Sequence, residues 1–133
     1  MNNELGIQNS RIRSFKDLDA WKESHKLVLM TYEVTKQFPK EEMFGLVSQL
    51  RRAIISVTSN IAEGFSRQSY KDKVYFYSMA LGSLTEVQSQ LQASFDLKYI
   101  NKEKFEEIDS QTIIANKIIN GLIKHSKSII HNS

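Results

Sequence analysis

The sequence predicts an all-α protein, an antiparallel up-down-up-down four-helix bundle, on three observations. One proline and five glycines are all that punctuate 133 residues, and most of them fall where helices should stop. Between those stops, four stretches carry apolar residues three and four apart, the period of a helix face. The links are short, which favours antiparallel neighbours. A chain of this length fits one domain with one core, and we expect that domain over residues 15–130 after a flexible tail over 1–14.

The first helix is expected from about Asp17 to Phe38, capped by Asp17 or Ser14 and stopped by Pro39. Leu18, Trp21, His25, Val28, Leu29, Tyr32 and Thr35 share one face. Ala20, Leu27, Met30, Val34 and Phe38 form a second apolar set on nearly the opposite side. That is more apolar surface than one side of a lone bundle uses, so the second set is expected to meet another subunit. The protein is therefore expected to be a homo-oligomer.

The second helix begins between Glu41 and Leu46 and is expected to end with Gly64 just past it. Leu46, Leu50, Ala53, Ile54, Val57 and Ile61 make its core face. Ser69 to Asp72 has the spacing of a capping box, which starts a third helix running to about Leu97 with Val74, Tyr77, Leu81, Leu84, Val87, Leu91 and Phe95 inward. Gly82 and Ser83 interrupt it with small residues, where close approach of another helix is expected. Asn101 caps the fourth helix, whose Phe105, Ile108, Thr112, Ala115, Ile119 and Leu122 lie near heptad spacing.

Composition excludes several chemistries. With no cysteine there is no disulfide, thiolate zinc site or cysteine nucleophile. No apolar run approaches the length of a membrane span, about 20 residues, and the N-terminus has no signal-like apolar stretch. A cytoplasmic location is the expectation. The net charge of +3 permits phosphate-rich partners without requiring them.

The ordered set Phe15, Leu18, Trp21; Phe38-Pro39; Phe44-Gly45-Leu46; Gln49-Leu50-Arg51-Arg52-Ala53; Ser59-Asn60-Ile61-Ala62-Glu63-Gly64; Arg67; and Ala80-Leu81-Gly82-Ser83-Leu84 with Glu86 resembles the 23S rRNA intervening sequence proteins. That family includes accessory proteins of diversity-generating retroelements. The resemblance implies a cytoplasmic bacterial four-helix bundle that assembles as a homopentameric ring. It also implies, from the retroelement relatives, a basic surface touching RNA or DNA and a reverse transcriptase as protein partner. Where the family often carries proline this chain has Thr58, so a straighter second helix is expected.

Gln49, Arg52, Ser56, Asn60 and Glu63 form a polar stripe on the second helix, about 80° wide at 100° per residue. It reads either as a ligand or nucleic-acid contact patch or, preferred here, as a structural polar network joined by Arg51 and by Glu86 from the third helix. Buried polar groups left unpaired cost about 1–3 kcal/mol each, so such a network specifies one packing. His25 is expected to be a hydrogen-bonded core residue, and His125 and His131 are six apart, off the spacing of a helical metal pair. No metal or cofactor is expected.

Arg67, Lys71 and Lys73 cluster with Phe65 and Tyr70 at the second turn, a mixture that can grip phosphates and stack bases, or simply form a solvated turn. Lys117, Lys124 and Lys127 on the fourth helix and Arg11 and Arg13 in the tail complete the candidate nucleic-acid contacts. The expected function is a non-enzymatic, self-assembling nucleic-acid-associated accessory protein. The alternative is a protein-protein adaptor or scaffold with no nucleic-acid role. Carboxylates such as Glu63 and Glu86 have no second catalytic group fixed beside them by the sequence.

Overall fold

Residues 12–132 are described by a computed structural model, and every regular element among them is helical. Four α-helices carry the fold: α1 (Asp19–Thr35), α2 (Leu46–Ser66), α3 (Tyr70–Asp96) and α4 (Lys102–His131). Each packs on its neighbours in a closed cycle, α1 against α2, α2 against α3, α3 against α4 and α4 against α1. The bundle architecture is as expected. No helix among the described residues is long and apolar enough to cross a membrane.

The start differs from expectation in detail. Ser14 does cap, with a capping box to Asp17, but it caps a separate 3-10 turn, Phe15–Asp17. Leu18 then turns extended and α1 begins at Asp19. The Arg13 and Ser14 N–H groups donate to the Asp17 carboxylate at 2.8 and 3.1 Å, and Ile12 packs on the core. The end of the expected tail is therefore bound to the bundle, while residues 1–11, Arg11 included, lie outside the described residues.

The core corrects the expected faces of α1. Ala20, Leu27 and Phe38, expected at a subunit interface, are buried within the chain itself. Met30 and Val34 are half-buried. Leu29 and Tyr32, expected inside, are exposed. The reason is that Ser24 and Thr31, in neither expected set, are buried too and complete the inward stripe with Ala20, Leu27 and Thr35; a face that includes small polar residues is invisible to a count of apolar ones. Thr35 satisfies its hydroxyl by donating to the Thr31 carbonyl at 2.7 Å.

The second helix runs two residues beyond Gly64 instead of stopping there. Gly64 is a packing position: a Cβ on it would stand 2.6 Å from Tyr77 Cε1 and 3.2 Å from Phe76 Cβ, on α3. Gly82 is the reverse case. A Cβ there meets nothing within 4 Å, so of the small pair Gly82-Ser83 it is Ser83, bonded to Ser56, that meets another helix. With Thr58 in place of proline, α2 is uninterrupted over its 21 residues, and the Thr58 hydroxyl bonds back to the Ile55 carbonyl at 3.1 Å.

The third helix stops without a glycine. Lys98 takes φ 68°, and the Tyr99 and Lys98 N–H groups bond to the Ser94 and Phe95 carbonyls, the Schellman pattern that normally recruits glycine. These backbones set the sign of three substitutions. Gly64→Ala should lose about 1–3 kcal/mol by overpacking against buried Tyr77, whereas Gly82→Ala should gain up to about 1 kcal/mol from helix propensity. Lys98→Gly should gain about 1 kcal/mol by relieving the left-handed residue. Urea midpoints of the three variants check all three signs.

Candidate functional site

Up-down-up-down topology sorts the links between two ends of the bundle. One end carries the α1–α2 and α3–α4 links; the other carries the start of α1, the short α2–α3 turn and the finish of α4. Most of the candidate basic residues belong to the second end. From Ser110 onward the chain has no Asp or Glu, while it has Lys117, Lys124 and Lys127. All three lysines are exposed, and none has an ion pair among the described residues. Lys117 stands near the middle of α4, with Lys124 two turns further on and Lys127 one turn beyond that.

The basic turn is less free than its sequence suggests. Arg67 pairs with Glu63 at 2.6 Å and lies 4.6 Å over the Phe76 ring. Lys73 donates to the Gly64 and Phe65 carbonyls at 3.3 and 2.8 Å, capping the C-terminus of α2, where a cation complements the helix dipole. Burial of this ammonium depresses its pKa. The Phe65 and Tyr70 rings sit 5.5 and 5.7 Å from its nitrogen. Lys71 alone in this group is exposed and without a partner among the described residues. The Arg13 side chain is exposed as well.

The polar stripe on α2 divides. Asn60 donates to the Ser56 carbonyl at 2.8 Å and to its hydroxyl at 3.1 Å, and Ser56 shares a 2.8 Å hydrogen bond with Ser83 of α3. Gln49 accepts from Gln90 of α3 at 3.4 Å. Glu63 leaves the set for Arg67. Glu86 is expected to pair with Arg51 or Arg52, but Arg51 turns to α1: it donates to the Thr35 hydroxyl at 3.0 Å and the Tyr32 carbonyl at 3.3 Å, with its guanidinium 4.5 Å over the Tyr32 ring. Arg52 and Glu86 have no partner among the described residues. Both line a shallow concavity of about 350 Å³ with Ser48, Gln49, Ala53 and Ser56, where a guanidinium, a carboxylate and hydroxyls can take polar groups.

Two further clips close the cycle. Gln88 of α3 donates to the Thr112 hydroxyl of α4 at 3.1 Å, and Gln111 of α4 donates to the carbonyl and carboxylate of Glu23 on α1 at 2.9 and 2.8 Å. Neither was visible in the sequence, because a single glutamine on a helix carries no spacing signal. His25 is half-buried and stacked on Trp21, ring centroids 4.6 Å apart, with no hydrogen bond, in place of the hydrogen-bonded core position expected. Among the described residues no group of three or more His, Cys, Asp or Glu could hold a metal ion.

One residue that sequence reasoning missed as a site is Phe44. It is 93% exposed although its turn is well fixed: Glu42 accepts from the Leu46 N–H at 3.2 Å and from the Tyr99 hydroxyl at 2.9 Å. The glutamate in turn raises the Tyr99 pKa, by accepting that proton. An aromatic on a link between helices was the signal available; it was absorbed into the family motif.

Asp17 and Glu23 give the bundle an acid limb. The backbone N–H groups of Arg13 and Ser14 hold the Asp17 carboxyl below its ordinary value. Burial pushes the Glu23 carboxyl up, but the Gln111 amide and Lys26 outweigh it and the net shift is downward. A carboxyl depressed on folding adds stability above its unfolded pKa and loses it as pH falls through the folded value. Melting temperature should therefore fall below about pH 4, and Asp17→Asn should make that fall shallower, as read by thermal unfolding across the acid range.

These features define a helical-bundle protein with one basic end, polar clips between all neighbouring helices and an exposed aromatic at the other end. The chain belongs to the 23S rRNA-intervening sequence protein family, whose model matches residues 16–121. A crystal structure of a protein of unknown function from the S23 ribosomal protein family of Bacteroides thetaiotaomicron VPI-5482 shares the fold, with a TM-score of 0.73 at 24% identity, covering 79% of this chain and 95% of that one. No curated protein matches the chain.

Proposed function

We propose that this protein is a non-enzymatic, self-associating bundle that binds RNA or DNA electrostatically through its basic end. The supporting observation is the acid-free stretch from Ser110 onward, with Lys117, Lys124 and Lys127 exposed and unpaired on α4. Lys71 and Arg13, also exposed, belong to the same end of the bundle. Nothing in this arrangement reads bases, so contact is to phosphate and independent of sequence. A modest charge per copy becomes a strong field when copies gather side by side.

Filter binding of a single-stranded oligonucleotide over a salt series tests this reading. Lys124→Glu with Lys127→Glu should lower the slope of log affinity against log salt by about 1.5, at roughly 0.7–0.9 per phosphate contact. No retention of the wild type at low salt, or an unchanged slope in the variant, removes the proposal. The second reading is a protein-protein scaffold, favoured by the internal engagement of Arg67 and Lys73, which leaves fewer cations for a polyanion. Under that reading a partner is retained after nuclease treatment while the wild type binds no oligonucleotide at low salt.

A further inference from the structure

We propose that the concavity across the α2–α3 seam binds a small zwitterion, a free amino acid with a short or polar side chain, with its carboxylate on Arg52 and its ammonium on Glu86. This goes beyond the proposed function and does not rest on it. Arg52 belongs to α2 and Glu86 to α3, and both line the same space of about 350 Å³. Both are exposed, and they pair neither with each other nor with any other described residue. Two opposite charges that share one space without meeting are complementary to a molecule that carries both.

The anion side is built on one face of α2. Ser48 lies four residues before Arg52 and Gln49 three, so all three are neighbours on the helix surface. Gln49 uses its amide oxygen to accept from Gln90 of α3 at 3.4 Å, which leaves its amide N–H groups uncommitted. The Ser48 hydroxyl and the Arg52 guanidinium also make no hydrogen bond among the described residues. A carboxylate has about four lone-pair sites and can accept from all three donors, and the guanidinium can hold it in a two-pronged contact. Ser56 plays a different part. Its hydroxyl is already shared with Ser83 and accepts from Asn60, at 2.8 and 3.1 Å, and so forms a fixed wall.

Glu86 decides the class of ligand. Its carboxylate repels an anion that brings no positive charge, so phosphate, free or in a nucleic-acid backbone, is selected against while an ammonium is attracted. The concavity is thus distinct in kind from the lysine-rich end of the bundle. Its volume stands near the lower bound of ligand pockets, about 300–1,000 Å³, which suits a molecule of few heavy atoms. Ala53 is the one apolar residue of its lining, so a large apolar side chain finds little to bury against. Both charges are open to water and salt, and a dissociation constant of about 1 mM is expected.

Ligand-observed saturation-transfer NMR on the full chain tests this, since it reads weak binding whatever the size of the assembly. Glycine, L-serine and L-glutamine should bind saturably, and L-leucine more weakly than L-serine. N-acetylserine, which lacks the ammonium, and serine methyl ester, which lacks the carboxylate, should each bind about tenfold more weakly or less still. Arg52→Gln and Glu86→Gln should each weaken serine binding by a similar factor without changing the melting temperature, because neither side chain has a partner within the chain. No saturable binding of any of the amino acids overturns the proposal. So does N-acetylserine or inorganic phosphate binding as well as serine, which would make this an anion site, and so does undiminished serine binding by Glu86→Gln.

Discussion

The distance between α2 and α3 is set where Gly64 meets the Tyr77 ring, and much of the rest of the molecule depends on it. With no Cβ in the way, α2 can continue to Ser66 while pressed against α3. The turn between them is then only three residues long. That shortness brings Lys73 back over the last carbonyls of α2 and Arg67 over Phe76. The same close seam lets two short serine side chains, Ser56 and Ser83, bond directly across it at 2.8 Å. A wider spacing would leave both hydroxyls to water and free the two cations.

The helices and their inward apolar residues were legible because burial imposes a period on the chain. Leu50, Ile54, Val57 and Ile61 on α2, and Ile108, Ala115, Ile119 and Leu122 on α4, are buried as expected. What was not legible has a common physical cause: the deciding property was not hydrophobicity. Ser24, Thr31 and Thr35 complete the core of α1 by size; the Thr35 hydroxyl bonds back to its own backbone, while those of Ser24 and Thr31 are buried with no hydrogen-bond partner among the described residues. Lys98 stops α3 through hydrogen bonds that outweigh an unfavourable φ. Gly64 looked like a helix stop since glycine serves both as cap and as contact, and only the third dimension tells the two apart.

The candidate site was half legible for the same reason. Spacing along α2 showed that Ser56 and Asn60 could meet, and they do. It could not show that Arg51 would turn to α1 or that Glu63 would be taken by Arg67, because those choices depend on which neighbour is in reach. Every pair of adjacent helices ends up with at least one polar clip: Arg51 to Thr35, Ser56 to Ser83, Gln88 to Thr112 and Gln111 to Glu23. Apolar packing alone tolerates sliding by a turn; directional bonds between specific side chains do not. The clips therefore fix register in a bundle whose core is built largely from interchangeable aliphatic residues.

A fixed register matters for function because it decides what each end presents. The charged groups of α4 divide along its length: Glu103, Glu106, Glu107 and Asp109 lie in its first third beside Lys102 and Lys104, and only cations follow. Antiparallel packing then sends the later cations to the end that holds the α2–α3 turn, and leaves the acids beside the links that carry Phe44. The proposed contacts to a polyanion therefore fall at one end of the bundle axis. Under the proposed function, association that leaves this end uncovered adds cationic surface with each copy. Charge then grows with copy number, which is what a chain with a net charge of only +3 needs in order to hold a polymer of phosphates.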